Sequence, residues 1–231
     1  MTTLDSAPVS KLLDTLHRQA EISDQQHIEE MMAAIEAPGA SLEQVVADLL
    51  AKEKIDYRAS TRSTAGNFLA VSPAFGRFLY AIARACKATR IVEFGTSMGI
   101  SAIYLAAALR DNGGGQLIGS EIEPTKVARA RANLAAAGLA DLVEIREGDA
   151  LETLQHVGSD VDLLLIDGAF SLYLPVLKLV EPGLMPGAII LGENAFDPEY
   201  QAYVHDRVNG YLSQSLPIGE GRGNEFSVRV R

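Results

Sequence analysis

A ten-residue segment in the middle of the chain combines an acid, two glycines and a hydroxyl where an apolar strand pattern changes to a helical one. Residues 92–101 read VEFGTSMGIS. Gly95 and Gly99 remove side chains where the backbone would approach a ligand closely, and the helix that follows offers unpaired N–H groups in its first turn. Ser101 places a hydroxyl beside these groups. The segment therefore suits a nucleoside-bearing cofactor.

The spacing of the glycines separates this turn from two other phosphate-binding loops. A dinucleotide fingerprint reads G-x-G-x-x-G, whereas this segment reads G-x-x-x-G, and no lysine follows Gly99 as a P-loop would require. Both phosphate-binding interpretations are weakened, so a nicotinamide oxidoreductase is a minor option. An ordinary strand-to-helix turn, with glycines present for packing, stays open as the simpler alternative.

A second acid, Glu121, ends the apolar run 117–120. A carboxylate at the end of the second strand of a doubly wound sheet can accept hydrogen bonds from both ribose hydroxyls, so Glu121 predicts a ribose contact. Glu123 has a simpler interpretation. Pro124 marks the first turn of a helix, and an acid at that place complements the helix dipole.

Polar residues also follow two later apolar runs. Asp167 follows the run 163–166, and Glu193 and Asn194 come shortly after the run 188–191. Open α/β sheets bind ligands beyond the carboxyl ends of their parallel strands, so these side chains are expected to converge there. Two carboxylates and an amide give three hard oxygen ligands for Mg²⁺, which would lower the pKa of an acceptor hydroxyl. Carboxylates that only cap loops remain the alternative.

The elements that must position these residues alternate between helices and strands from residue 73 onward. Strands are predicted at 90–94, 116–121, 142–147, 161–166, 188–192 and 225–230. Helices are predicted at 73–87, 99–110, 124–137, 171–181 and 198–213. Such alternation indicates an α/β fold with a doubly wound, parallel sheet.

The part of the chain before this alternation reads as helical. Helices are predicted at 9–20, 25–37 and 41–54, the last with Ser41 and Gln44 as a capping box. Lys52–Lys54 reads as a solvated helix end. We divide the chain into an N-terminal helical cap, residues 1–60, and a cofactor-binding domain, residues 61–231.

Composition limits the classes of function. Of the 231 residues 48% are hydrophobic, enough to bury one full α/β core. The formal net charge of −10 opposes affinity for nucleic acid or an anionic membrane, since both present phosphate to the protein. The N-terminal residues show no basic segment followed by an apolar one, so we expect a cytoplasmic protein that acts on small molecules. Cys86 is the only cysteine and reads as a buried bystander on a helix.

Taken in order, these segments resemble class I S-adenosylmethionine-dependent methyltransferases, and more closely the catechol and caffeoyl-coenzyme A O-methyltransferase family. The matching segments are 69–73 with Gly76, 92–101, 119–124, 147–150, 166–168, Tyr173, 186–187 and 193–194. The resemblance implies a seven-stranded Rossmann-like sheet whose last strand is antiparallel, and a homodimer. It also implies that the N-terminal cap covers the acceptor pocket or forms a subunit contact.

The resemblance also implies roles for individual residues. Those lining the S-adenosylmethionine pocket are Val71, Glu93, Gly95, Ser101, Glu121, Asp149, Ala150 and Asp167. Within this set Glu121 would bind the ribose and Asp149–Ala150 would lie near the adenine. Glu93 and Ser101 would hold the methionine end. Asp167, Glu193 and Asn194 would bind Mg²⁺, with Asp167 and Asn194 as the catalytic pair.

The sequence departs from the family at two positions. The family has Asp-Asn where this chain has Glu193 and Asn194. The extra methylene of Glu193 moves its carboxylate oxygens away from the position that an aspartate would give them, which affects how they could bind a metal ion. The family's catalytic lysine lies three residues after the first metal aspartate, and that position is Phe170 here. Phe170 could instead line the pocket of a planar acceptor. A replacement base could come from His205 or Tyr173, although packing is the simpler interpretation of each.

Three functional hypotheses therefore stay open. The first is Mg²⁺-assisted methyl transfer to an oxygen of a small, aromatic metabolite. The second is metal-independent methylation of a carboxylate or amine, motivated by Phe170 and Glu193. The third is a non-catalytic protein that binds S-adenosylmethionine.

Overall fold

The computed structural model of the chain describes residues 1–218 and 223–231, and its centre is a seven-stranded sheet with the strand order β3-β2-β1-β4-β5-β7-β6. The strands are β1 Arg90–Phe94, β2 Gln116–Glu121, β3 Val143–Glu147, β4 Val161–Ile166, β5 Leu184–Gly192, β6 Tyr211–Leu216 and β7 Asn224–Arg229. Strands β1 to β5 are parallel, and β7 runs antiparallel to both β5 and β6. This confirms the predicted Rossmann-like sheet.

Helices cover both faces of the sheet and form the N-terminal part. They are α1 Ala7–Glu36, α2 Leu42–Ser63, α3 Pro73–Ala85, α4 Ile100–Asn112, α5 Pro124–Ala136, α6 Ala150–Thr153, α7 Tyr173–Val180 and α8 Pro198–His205. The first core layer lies between the sheet and α1, α3, α4 and α5. The second lies between the sheet and α6, α7 and α8. Among the described residues, no helix is both long enough and apolar enough to cross a membrane.

The strand order places a switch point between β1 and β4. β1 pairs with β2 on one side and with β4 on the other, and the chain leaves these two strands in opposite directions across the sheet. A crevice opens at such a point beyond the carboxyl ends of the strands. The glycine turn follows β1 and Asp167 follows β4, so the fold brings both to this crevice.

The predicted helix 198–213 is wrong in its second half. α8 ends at His205, and Gly210 turns the chain in the left-handed region (φ 80°) before the edge strand β6 begins. β6 pairs along its whole length with β7, and Ser213 and Ser227 form a hydroxyl hydrogen bond of 2.7 Å across the pair. The tertiary pairing with β7 decides the structure here, since β6 alone has only a weak strand pattern.

The cap was predicted as residues 1–60; because α2 ends at Ser63, the name is used below for residues 1–63. The two helices predicted at 9–20 and 25–37 are one continuous helix, α1. The helix predicted at 41–54 begins as expected, with Ser41 Oγ accepting from the Gln44 amide, but α2 continues to Ser63. The interpretation of Lys52–Lys54 as a solvated helix end is wrong for its middle residue, because Glu53 is only 6% exposed.

Candidate functional site

The glycine turn after β1 is packed directly against the end of β4. Gly95 has φ +91°, and a Cβ atom there would lie 2.0 Å from the carbonyl oxygen of Asp167. Gly99 is the left-handed N-cap residue of α4, and a Cβ atom there would lie 3.2 Å from the Ala130 side chain. Both glycines therefore allow close packing inside the protein, as the simpler alternative required. They also leave the ligand side of the turn open.

Glu93 lies beneath this turn. It is fully buried, and its Oε1 accepts a 2.6 Å hydrogen bond from Ser101 Oγ. Within the described part of the chain its Oε2 has no hydrogen-bond partner. Burial raises the pKa of Glu93, although the hydroxyls of Ser101 and Thr96 oppose this shift. Glu93 thus orients Ser101 from below, and Ser101 itself faces the crevice.

Glu121 ends β2 beside the same turn. Its Oε2 accepts from the Ser97 amide and its Oε1 from the Glu123 amide, both at 2.8 Å. The side chain is buried. Each carboxylate oxygen keeps a second lone pair, so two acceptor positions remain for a ligand while the two amides fix the carboxylate in place.

A narrow pocket of about 10 Å³ lies above the turn. Its walls include Phe68, Leu69, Ala70, Val71, Gly95, Thr96, Ser97, Met98, Ile100, Ser101 and Asp167. Ser97 Oγ donates to the carbonyl oxygen of Phe68 at 2.6 Å, which draws the segment before α3 onto the turn. Leu69 and Ser97 both have positive φ values, 49° and 46°. Strained non-glycine residues of this kind cluster at ligand sites.

Asp24 of α1 holds the other wall of the narrow pocket. Its two carboxylate oxygens accept hydrogen bonds from the amides of Phe68, at 2.8 Å, and Leu69, at 2.7 Å. Asp24 is buried, so these contacts are shielded from water. The first helix of the cap thereby fixes a segment that lines the pocket.

A wider pocket of about 410 Å³ opens at the ends of β2 and β3. Its lining residues are Arg58, Arg62, Ile122, Glu123, Pro124, Asp149 and Glu152. Asp149 is the N-cap residue of α6, where its Oδ1 accepts from the Leu151 amide at 3.0 Å. Its Oδ2 accepts from Tyr57 and Arg58 of α2. Ala150, the next residue, is buried.

The three predicted metal ligands come from neighbouring strand ends. Ile166 and Gly192 are paired in register, and the Glu193 amide donates to the Ile166 carbonyl at 3.0 Å, so Asp167 and Glu193 leave the sheet side by side. Asn194 has φ +50°, and its side-chain amide donates to Glu193 Oε2. Among the described residues, no three His, Cys, Asp or Glu side chains form a metal-binding group. A divalent ion held here by three protein ligands would therefore need the Asn194 oxygen beside the two carboxylates.

Phe170 lies three residues after Asp167, at the position where the resemblance would place a lysine. Its ring packs edge-on against Tyr173, 5.7 Å between centroids, and against Phe196, at 5.9 Å. Tyr173 is fully buried and donates its hydroxyl proton to the Glu193 carbonyl. Burial and nearby carboxylates raise the pKa of Tyr173 well above its ordinary value. Tyr173 therefore packs below the site and is no base at neutral pH.

His205, the other candidate base, lies on α8 with its Nε2 atom 3.0 Å from Glu225 Oε1. Its side chain is nearly half exposed. This ion-pair geometry links α8 to β7, and His205 is not among the residues that line either pocket. His205 therefore contacts β7 and does not line a pocket, so the structure gives no support to a role as the base.

The sequence analysis did not identify two cap residues that reach the site region, Glu53 and Tyr57. Glu53 accepts a 2.8 Å hydrogen bond from the Ser171 amide, next to Phe170, and burial raises its pKa. Tyr57 and Arg58 bind Asp149. Leu50, Glu53 and Tyr57 recur at intervals of three and four residues, which is the spacing of one helix face. That spacing is the sequence signal that could have shown that Glu53 and Tyr57 face the rest of the protein.

Comparisons with known proteins agree with this geometry. A family signature described as a methyltransferase domain matches residues 92–195. A catechol O-methyltransferase of Niastella koreensis is 34% identical over 161 residues, which cover 67% of this chain and 72% of that protein. A catechol O-methyltransferase of Mycobacterium tuberculosis is 41% identical over 100 residues, 43% of this chain and 44% of that protein.

Solved structures share the fold. An O-methyltransferase from Bacillus cereus in complex with SAH superposes with a TM-score of 0.64 at 21% identity, covering 88% of this chain and 97% of that one. TomG, an O-methyltransferase from Streptomyces achromogenes in complex with SAM, gives a TM-score of 0.64 at 22% identity, covering 93% and 98%.

The sheet order, the glycine turn and the acid after β2 together define a class I methyltransferase. The chain belongs to the catechol O-methyltransferase-like family of S-adenosylmethionine-dependent O-methyltransferases.

Proposed function

We propose that this protein transfers the methyl group of S-adenosylmethionine to a hydroxyl oxygen of a small aromatic acceptor, with a divalent cation such as Mg²⁺ assisting. One observation carries the proposal. Asp167 lines the same narrow pocket as the glycine turn and Ser101, and it also stands beside Glu193 at the end of the neighbouring strand. A single carboxylate therefore adjoins both the predicted cofactor pocket and the predicted metal ligands.

The residues around the crevice fit the parts of the cofactor. Glu121 has free lone pairs for two ribose hydroxyls and is held rigid by two amides. Ser101 faces the narrow pocket and is oriented by Glu93, which suits the polar methionine end. Val71 provides an apolar wall on the opposite side. Asp149 lines the wider pocket, which is large enough for the adenine, and Ala150 is its buried neighbour in sequence.

The donor chemistry of Asp167, Glu193 and Asn194 fits Mg²⁺. Two carboxylates and an amide are hard oxygen donors, and Mg²⁺ in proteins keeps several waters beside one or two carboxylates. Asn194 has a backbone φ of +50°, and its backbone amide donates a 3.0 Å hydrogen bond to Asn224 Oδ1, which holds it at the site. When bound, the cofactor supplies an activated methyl group and the cation lowers the pKa of the acceptor hydroxyl.

The side chains of this protein act mainly by positioning. Methyl transfer from a sulfonium is an in-line displacement, so the alignment of acceptor oxygen and methyl carbon determines the rate. Phe170 presents an aromatic edge and face beside Tyr173 and Phe196, a wall that suits a planar acceptor. Asp167 and Asn194 would hold the acceptor side, and the buried aromatic residues would exclude water from it.

A second candidate is metal-independent methylation of an acceptor that is already nucleophilic. Two observations favour it: Phe170 replaces a basic side chain with an aromatic one, and the Asn194 amide group donates to Glu193. That internal contact would satisfy the two side chains without a cation. A carboxylate or amine acceptor would then need little help from a base.

The proposal is tested with purified protein and labelled S-adenosylmethionine. Methyl transfer is measured to catechol, to a carboxylic acid and to an amine, after metal removal and after Mg²⁺ is added back. We expect transfer to catechol that depends on Mg²⁺. Transfer that persists in chelator supports the second candidate, and tight cofactor binding without transfer to any acceptor contradicts both.

Two variants locate the site. Asp167→Ala should reduce methyl transfer at least roughly 10- to 100-fold, because even groups that only orient metal ligands have effects of that size. The matched control is Asp160→Ala. Asp160 lies before the same strand, is mostly exposed and pairs with Arg90 at 2.6 Å. Equal activity in the two variants would defeat the assignment of Asp167.

A further inference from the structure

Asp149, at the end of β3, is bound by two side chains of the cap. Its Oδ2 accepts a 2.5 Å hydrogen bond from the Tyr57 hydroxyl and a 2.6 Å charge-assisted hydrogen bond from Arg58 Nη2. The Asp149 side chain is 7% exposed, whereas that of Arg58 is 51% exposed. Tyr57 and Arg58 lie 92 and 91 residues before Asp149 in the sequence, so this contact joins the cap to the sheet domain.

The protonation states of these groups suit a stable contact. Burial favours a higher pKa for Asp149, but the hydrogen bonds from Tyr57 and Arg58 outweigh it and hold that pKa below the ordinary value. Burial and the Asp149 contact raise the pKa of Tyr57. At neutral pH the carboxylate is therefore ionised and the phenol is protonated, so a charged acceptor faces two donors.

The wider pocket lies next to this contact and has walls from both parts of the chain. Arg58 and Arg62, one helical turn apart on α2, form the cap side. Residues 122–124, which directly follow Glu121, and Asp149 with its neighbour helix form the other side. The pocket therefore adjoins the two acids proposed for the ribose and adenine ends, and the cap closes one side of it.

A break in α2 stands directly before the two cap residues. Asp56 has φ −157° and ψ 84°, which interrupts the helix, and its Oδ1 accepts from the Ala59 amide at 2.9 Å. Residues 57–63 are thus a short helical segment with its own cap. A segment joined through one non-helical residue can rotate as a unit, as hinge residues allow in enzyme lids.

We propose that Tyr57 and Arg58 are a latch that closes residues 57–63 over the adenosine end of the bound cofactor. Release of the cofactor then requires the contact with Asp149 to break. This inference rests on the proposed function, because it takes the adenosine to lie beside Asp149. It adds two cap residues to a cofactor site otherwise built from the sheet.

The test measures release of S-adenosylhomocysteine, the demethylated product, by stopped-flow displacement from the full-length protein. Tyr57→Phe should speed release severalfold, and Tyr57→Phe combined with Arg58→Ala roughly tenfold, the effect of losing one to two hydrogen bonds. The matched control is Lys54→Ala. Lys54 lies on the same helix and forms a 2.7 Å ion pair with Glu199, but it precedes the break at Asp56 and is not part of residues 57–63.

Hydrogen exchange supplies an independent reading. In the wild type, S-adenosylhomocysteine should slow exchange at residues 57–63, and in the double variant this slowing should be lost. Equal release rates in the latch variants and in Lys54→Ala would overturn the latch while leaving the proposed function intact. A wild-type protein that binds no S-adenosylhomocysteine would overturn both. Tyr57→Phe alone removes one oxygen atom, so at least one variant is expected to stay folded.

Discussion

The glycine turn provides a stability prediction with a built-in control. Gly95→Ala places a Cβ atom 2.0 Å from the Asp167 carbonyl oxygen, a distance that no real Cβ contact shows, at a backbone φ of +91°. Gly39→Ala imposes a similar φ of +82° where no heavy atom lies within 4 Å. The two variants therefore share the conformational strain and differ in the clash.

The expected magnitudes follow from these two contributions. An alanine in the left-handed region costs about 1–2 kcal/mol of stability. The clash at Gly95 adds roughly 1–3 kcal/mol, the usual cost of overpacking a filled site. Because 1 kcal/mol shifts the melting temperature of a chain of this size by about 2–4 °C, Gly95→Ala should melt at least about 2 °C below Gly39→Ala.

The assay is thermal unfolding by circular dichroism, followed by calorimetric titration with S-adenosylhomocysteine. Gly95→Ala can relieve its clash only by moving the backbone of Asp167, so it should also weaken cofactor binding. Gly39→Ala, in the loop between the two cap helices, should bind as the wild type does. Two variants of equal stability and equal affinity would refute the claim that the turn and the end of β4 are packed against each other.

Three further predictions concern side chains near the site. The pKa of Glu93 is raised above 4.5, so the folded chain holds its proton more tightly and loses stability as pH rises through that raised value. Glu93→Gln should remove this loss and flatten the dependence of the melting temperature on pH up to neutrality. Tyr173→Phe should cost about 1–3 kcal/mol in denaturant unfolding, since it leaves the buried Glu193 carbonyl without its donor. Phe170→Lys should speed methyl transfer to catechol-like acceptors at neutral pH, because it introduces a basic side chain beside the predicted metal ligands.

Each of these predictions has a contrary result. An unchanged pH profile for Glu93→Gln would show that folding does not raise the pKa of Glu93. Wild-type stability of Tyr173→Phe would mean that the Glu193 carbonyl finds another donor. No gain for Phe170→Lys, in protein whose melting curve is unchanged, would show that acceptor shape and not the missing base distinguishes this chain from its relatives.

The parallel half of the sheet was predictable because each strand is a short apolar run with a turn signal after it. β4, buried along almost its whole length, and the turn at Gly95 follow from local sequence alone. β6 was missed because its polar residues face solvent or pair across to β7, so its structure depends on a strand later in the chain. Local patterns carry no record of such pairing.

The same reasoning explains which site residues the sequence could not reveal. Glu121 and Asp167 stand at strand ends, so their position follows from the fold class. The partners of Glu53 and Tyr57 lie 118 and 92 residues away, and nothing near either residue in sequence indicates them. Whether Asp167, Glu193 and Asn194 bind a cation stays a prediction, since sequence and geometry give the donors but not the ion.

Asp24 has a consequence for how this protein tolerates substitution. Its two carboxylate oxygens hold the amides of Phe68 and Leu69, whereas Gln25, the next residue of α1, is exposed. Besides the apolar core positions of α1, a complete mutational scan should therefore show one intolerant acidic position, Asp24, among exposed neighbours. Substitutions at Asp24 should lower activity as much as substitutions of residues that line the cofactor pocket. A strong loss of activity in such a scan would therefore not show that the substituted residue lies close to the ligand.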